Sequence, residues 1–194
     1  MARNQGFSLL ELLLACSLGL ILTSVMAQAL LSDQRIGARL GQQLRQRQLL
    51  LRANQLIAVD VERGMALAPT ASPRCNLAGR LPWLQILSAA GELTTYSLGD
   101  PPSPIWQGQV LMRCGPAYGL DGRIKPGGRV QNRVVLDGLQ LSDQPWHGCR
   151  LPQGEMLHAV AVCWEPISGA VQWHLQMGLD GVITQRQGEA VLRG

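Results

Sequence analysis

Between Phe7 and Leu31 lie 25 residues, of which only Glu11 and Gln28 are strongly polar. As a helix that run would reach about 37 Å, against a hydrocarbon core of about 30 Å. Such a stretch, so near the N-terminus, is either a secretory signal or a membrane anchor. A cleaved signal has a shorter apolar core after a basic head, followed by a small-x-small cleavage site. Here the clear punctuation is Gly6, which stands before the apolar run and not after it. The preceding segment is short and polar and carries Arg3, which favours a cytoplasmic N-terminus. The span is therefore expected to stay with the protein. Glu11 is the anomaly, since an ionisable group at the bilayer centre costs about 2.5–3.5 kcal/mol on insertion scales.

At Gly6 to Leu12 the residues read G-F-S-L-L-E-L, and this run resembles the N-terminal signature of type IV prepilins and the related type II secretion pseudopilins. The resemblance implies cleavage between Gly6 and Phe7 by a membrane-embedded prepilin peptidase. It also implies N-methylation of the new amine of Phe7. Glu11 matches the family's glutamate. Once the leader is gone, the Phe7 amine is a cation at the head of an apolar helix. Opposite charges at contact attract by about 4 kcal/mol at an effective dielectric of 20. Glu11 can then pair with the amine of a neighbouring subunit, and a subunit docked at the wrong rise leaves a buried charge unpaired. The alternative is an acid one turn into the helix that snorkels to the headgroups.

The helix is expected to continue well beyond the bilayer. No proline occurs between Ser32 and Ala68, and Ile36, Leu40, Leu44, Leu51 and Ile57 recur at helical spacing. Arg35, Arg39, Arg45, Arg47 and Arg52 punctuate the stretch; without interleaved aromatics they read as a solvated face and not as a nucleic-acid stripe. Pro69 is the expected stop, and the helix is read from about Phe7 to about Met65. The predicted layout is a leader over 1–6, a membrane or filament-core helix over 7–31, its amphipathic continuation over 32–68, and a β-rich extracytoplasmic domain over 69–194. Many major pilins carry a proline inside the apolar helix. This chain has none before Pro69, and Gly19 is the weak point of the stretch.

After Pro69 the texture becomes short alternating runs and turns. Leu84 to Ser88 and Leu93 to Leu98 flank Ala89-Ala90-Gly91-Glu92, and Met156 to Trp164 and Ala170 to Met177 flank Pro166-Ile167-Ser168-Gly169, both hairpin signals. Ile105 to Arg113 and Arg129 to Leu141 read as further strands, Gly119 to Gly128 as a loop, and Val182 to Gln185 with Ala190 to Leu192 as a last edge. A long helix followed by an antiparallel sheet is an α+β, pilin-like plan. Leu56 to Pro69, LIAVDVERGMALAP, looks like the helix end of W-type minor pilins and J-type pseudopilins, which often close on an Asp-x-x-Arg motif.

Five cysteines are present. Cys16 falls in the apolar helix and reads as a small apolar residue. Cys75, Cys114, Cys149 and Cys163 follow the helix, an even set that favours disulfides outside the cytoplasm. Four cysteines allow three pairings; the short loop favours Cys149–Cys163, which leaves Cys75–Cys114. A zinc site drawn from these thiols with His147, His158 or His174 lacks CxxC or HxxxH spacing. No GxSxG, HExxH, P-loop or GxGxxG is present. The five tryptophans read as core and sheet-face packing. The net charge of +4 permits nucleic acid but nothing else supports it.

The expectation is therefore a structural subunit and not an enzyme, with no cofactor and no metal. It would be a single-pass inner-membrane protein that enters a filament. Its partners would be the prepilin peptidase, other pilin or pseudopilin subunits, the inner-membrane assembly platform and the bilayer. The alternatives are a type II secretion pseudopilin and a membrane-anchored periplasmic binding domain.

Overall fold

A computed structural model of the chain describes residues 8–119, 124, 128–140, 146, 148–149, 153–157, 159–179 and 182–193. It separates into two units, Met1–Leu44 and Arg45–Gly194. One helix, α1 (Leu9–Arg63), supplies the described residues of the first unit, with Ser8 at its head, and opens the second. The run is rich in Leu, Ala, Gln and Arg, all good helix formers, and is free of proline. Gly19, Gly37 and Gly41 stand in open space and lie within the helix; each costs propensity without breaking it.

Within the first unit the described large apolar side chains of α1 are exposed, from Leu9 at 78% to Leu44 at 50%. The second unit begins where burial begins. Gln46, Leu50, Ala53, Ile57, Asp60 and Val61 recur at steps of three and four and are all buried. This stripe differs from the one that spacing alone assigns. Ile57 belongs to it, but Leu40 and Leu44 stay exposed, because no sheet faces them within their own unit.

The helix also ends earlier than Pro69 or residue 68. It stops at Arg63, and Gly64–Leu67 forms strand β1. The cause is tertiary. Gly64 and Leu67 pair with Ser88 and Ile86, and the Arg193 amide donates to the Gly64 carbonyl at 2.8 Å. Gly64 sits so close to the sheet that a Cβ there would lie 2.3 Å from Ile86 Cγ2 and 2.9 Å from Leu192 Cδ2. Only a glycine admits that approach.

Eight further strands follow: β2 (Leu81–Ser88), β3 (Leu93–Gly99), β4 (Gln109–Pro116), β5 (Val130–Leu139), β6 (Gln153–Leu157), β7 (Val160–Trp164), β8 (Ala170–Leu179) and β9 (Val182–Val191). All pairings are antiparallel, in the order β1-β2-β3-β4-β5-β8-β7-β6, with β9 on β8. The sheet is thus two meanders, joined where Leu139 pairs with Met177. The fold is α+β, a long N-terminal helix followed by an antiparallel sheet. Both hairpin signals are turns, closed at Gly91 (φ +75°) and Gly169 (φ +68°). Three elements differ from expectation. Ile105 and Trp106 lie in the turn before β4, which starts only after Gly108 and runs through Cys114 to Pro116; Met156 to Trp164 is split between β6 and β7; and β9 is one continuous strand.

The core lies between α1 and the sheet. Trp83, Trp173 and Tyr96 are its largest fully buried side chains, with Trp83 and Tyr96 edge to face at 6.3 Å. Trp106, Trp146 and Trp164 are half-buried. Two polar bridges seat the helix: Trp173 Nε1 donates to Asn54 Oδ1 at 2.8 Å and Thr184 Oγ1 to Gln46 Oε1 at 3.0 Å. Cys75–Cys114 and Cys149–Cys163 are disulfides, with Cα separations of 5.8 and 6.0 Å. Loop closure over their separations of 39 and 14 residues corresponds to roughly 3–4 kcal/mol each on the chain-entropy account.

Gly64→Val should destabilise the second unit by about 1–3 kcal/mol through overpacking against Ile86. Chemical denaturation followed by tryptophan fluorescence measures this, and an unchanged midpoint would show that the approach of β1 to β2 is not tight.

Candidate functional site

Two sets of polar residues stand out, one at the head of α1 and one at its end. At the head, the Ser8 carbonyl accepts from the Leu12 amide at 3.2 Å. The Leu10 amide donates to Ser8 Oγ at 3.2 Å, and the Ser8 amide donates to Glu11 Oε2 at 3.2 Å. This is a capping-box arrangement in which Glu11 satisfies the Ser8 amide while Ser8 Oγ satisfies the Leu10 amide. It suits an acid to the positive end of the helix dipole. Gly6 and Phe7, the cleavage and methylation candidates, lie outside the described residues.

Beyond Glu11, no Asp, Glu, Lys or Arg occurs until Asp33. The hydroxyls in that stretch are turned back on the helix: Ser17, Thr23, Ser24 and Ser32 each donate to a carbonyl three or four residues earlier, at 2.8–3.0 Å. A hydroxyl satisfied inside its own helix does not need water. Cys16 is free and exposed. The helix is long and apolar enough to cross a membrane, and none of its most apolar stretch is buried.

At the other end, Asp60 is buried and its carboxylate accepts four hydrogen bonds. Arg113 grips it bidentately, Nε to Oδ2 at 2.6 Å and Nη2 to Oδ1 at 2.9 Å. Tyr96 donates to Oδ2 at 2.6 Å, and Tyr118 donates to Oδ1. The remaining guanidinium nitrogen, Nη1, donates to the Pro116 carbonyl at 3.0 Å. The Tyr118 ring is itself contacted by two guanidiniums, Arg113 at 4.8 Å and Arg63 at 5.3 Å from its centroid. Asp60 and Arg63 are the Asp-x-x-Arg of the helix end, and both point their chemistry at Tyr118.

The cluster fixes protonation states. Burial lowers the affinity of the Arg113 guanidinium for its proton, but the hydrogen bond and charge of Asp60 outweigh burial and hold it above its usual value. Burial, followed by the Asp60 charge, pushes Tyr96 well above the usual phenol range, and the same causes push Tyr118 up to about 12. The set is a charged pair wrapped by two neutral phenols. Sequence reasoning registers the Asp-x-x-Arg spacing but misses Arg113, Tyr96 and Tyr118. The available signal is Asp60 itself, a carboxylate in register with Ala53 and Ile57 on the buried stripe.

The histidines do not assemble with the thiols. His174 is buried, stacked on Trp146 at 5.3 Å and 10°, and burial lowers its pKa, opposed by the hydrogen bond it makes to Gln185. His147 and His158 lie outside the described residues, and among the described residues no three metal-ligating side chains converge.

Residues 1–27 match the family model for the prokaryotic N-terminal methylation motif. The N-terminus carries a motif of the type IV prepilin-like kind. No curated protein and no solved structure matches the chain. The prepilin-like motif spans Ser8, Glu11 and the apolar turns after them, and so covers the capping box and most of the uncharged run. It supports a pilin- or pseudopilin-type subunit, and with the apolar helix it fits a single-pass, membrane-anchored pilin.

The chain has two tyrosines, both on Asp60. A free phenol ionises near pH 10. Because the folded values are raised, the stability these groups contribute is complete below about pH 10 and is lost as pH rises through 12 and beyond. Phenolate absorbance of the native protein should therefore develop above pH 10 and coincide with loss of structure. In Tyr118→Phe the phenolate change should halve. A full phenolate signal near pH 10 with the fold intact would show the phenols to be free of Asp60.

Proposed function

We propose that the chain is a structural subunit of a type IV pilus-like filament, of the minor-pilin kind. Prepilin peptidase removes residues 1–6 between Gly6 and Phe7 and methylates the Phe7 amine. Residues 7–31 hold the subunit in the inner membrane and then in the filament core, and the β-rich region stands outside the cytoplasm. The observation that carries this reading is the methylation motif heading an apolar helix whose side chains are unburied. The helix continues into a domain closed by two disulfides, bonds that persist in an oxidising compartment.

In assembly, Glu11 leaves the Ser8 amide and pairs with the Phe7 amine of a neighbouring subunit, which sets the rise between them. The exchange is favourable because an ammonium is a stronger partner for a carboxylate than a neutral amide. The other partners are sister pilin subunits and the inner-membrane assembly platform. The role is structural: the motif belongs to subunits and not to catalysts. A type II secretion pseudopilin would use the same residues in the same way.

The test combines processing with assembly. Mass spectrometry of membrane-extracted protein should find N-methyl-Phe7 as the terminus in peptidase-positive cells and Met1 in peptidase-negative ones. Glu11→Leu should be processed and retained in the membrane but depleted about tenfold or more from sheared filaments, since each 1.4 kcal/mol is tenfold. An uncut terminus would overturn the prepilin reading. Wild-type abundance of Glu11→Leu in filaments would overturn the register role alone.

A further inference from the structure

Within the second unit, a cavity of about 310 Å³ opens between α1 and strands β4 and β5. Arg52 reaches it from the helix and Arg133 from β5, while Arg113 and Tyr118 close its inner side. Leu56 and Val135 supply apolar wall. The three guanidiniums are not equivalent. Arg113 is spent on Asp60. Arg52 and Arg133 are exposed, and among the described residues neither has an ion-pair partner.

We infer that this cavity is a docking site for an acidic peptide segment of a partner protein, one carrying adjacent carboxylates beside an apolar side chain. The guanidinium fork matches a carboxylate with two parallel hydrogen bonds. Ala53, Leu56, Val134 and Val135 line the same cavity as the two guanidiniums, so the complementary ligand is amphipathic and not a bare anion. A cavity of this volume has the size of a site for a few side chains. Nucleic acid shares the negative charge but needs an open groove and free aromatic faces on which bases stack. The one aromatic ring here, Tyr118, already carries Arg63 and Arg113 against it. The net charge of +4 steers an acidic partner towards the chain without naming the site; Arg52 and Arg133, without an ion-pair partner among the described residues, name it. The cavity would take such a segment whether or not the chain enters a filament.

The test uses the full chain in a non-ionic detergent and a fluorescent peptide with two adjacent glutamates flanked by leucines. Its controls are the same peptide with glutamines and a single-stranded oligonucleotide. Fluorescence anisotropy should show binding of the glutamate peptide that weakens as salt rises, because the two arginines are solvent-exposed. Arg52→Gln and Arg133→Gln should each weaken it severalfold and together at least about tenfold. Both side chains are exposed, so the tyrosine cluster and the disulfides should be unaltered in the variants. Equal binding of the glutamine peptide, indifference to both substitutions, absence of binding at low salt, or an oligonucleotide that displaces the peptide would each overturn the inference.

Discussion

A single buried carboxylate organises the junction between helix and sheet. Asp60 reaches the core from α1, and its four hydrogen bonds come from β3 through Tyr96, from β4 through Arg113, and from the segment after β4 through Tyr118. A carboxylate without partners in that place would cost several kcal/mol. Its demand for donors therefore fixes which turn of the helix faces which strands. Hydrophobic contact alone is less particular: Leu50, Ala53 and Ile57 would tolerate a small slide of the helix over an aliphatic sheet face, whereas a bidentate pair would not. With the helix so held, Gly64 is delivered against Ile86, and the chain passes from helix to β1 without a loop.

The same helix has two surfaces. From Gln46 to Val61 its apolar side chains are covered by the sheet. From Leu9 to Leu31 they are covered by nothing in their own unit, and the hydroxyls among them are satisfied internally. A surface of that composition is long and apolar enough to cross a membrane. Gly19, Gly37 and Gly41 lie along this helix with open space at their Cα atoms, so nothing in the fold requires them to be glycine. The turns from Leu9 to Leu31 can therefore be read by their chemistry alone: apolar length, one capped acid, no other charge.

What could be read from the sequence is what is local. The absence of proline predicts the long helix, and turn chemistry at Gly91 and Gly169 predicts two hairpins, because each signal lies within a few residues of the structure it makes. The features that escape depend on distant partners. The donors to Asp60 stand 36, 53 and 58 residues away, and no spacing rule reaches that far. Leu40 and Leu44 have the same periodicity as Ile57, yet only the residue opposite the sheet is buried. β1 escapes for the same reason: Gly64 to Leu67 sits in a stretch free of proline and reads as helix until β2 is there to pair with it. Asp60 itself is visible as an acid on an apolar stripe; its partners are not.

The claim that this carboxylate pins helix to sheet is tested most directly by a double-mutant cycle. Asp60→Asn, Arg113→Gln and the double variant would be unfolded by denaturant in detergent, with wild type as reference. A pinning pair predicts that each single variant loses about 3–5 kcal/mol, since each leaves a buried charge unpaired. The double variant should then lose far less than the sum, for a coupling of about 2 kcal/mol or more. Additive losses, with coupling below about 0.5 kcal/mol, would show that the helix is seated by its apolar stripe and that Asp60 merely fits the place it is given.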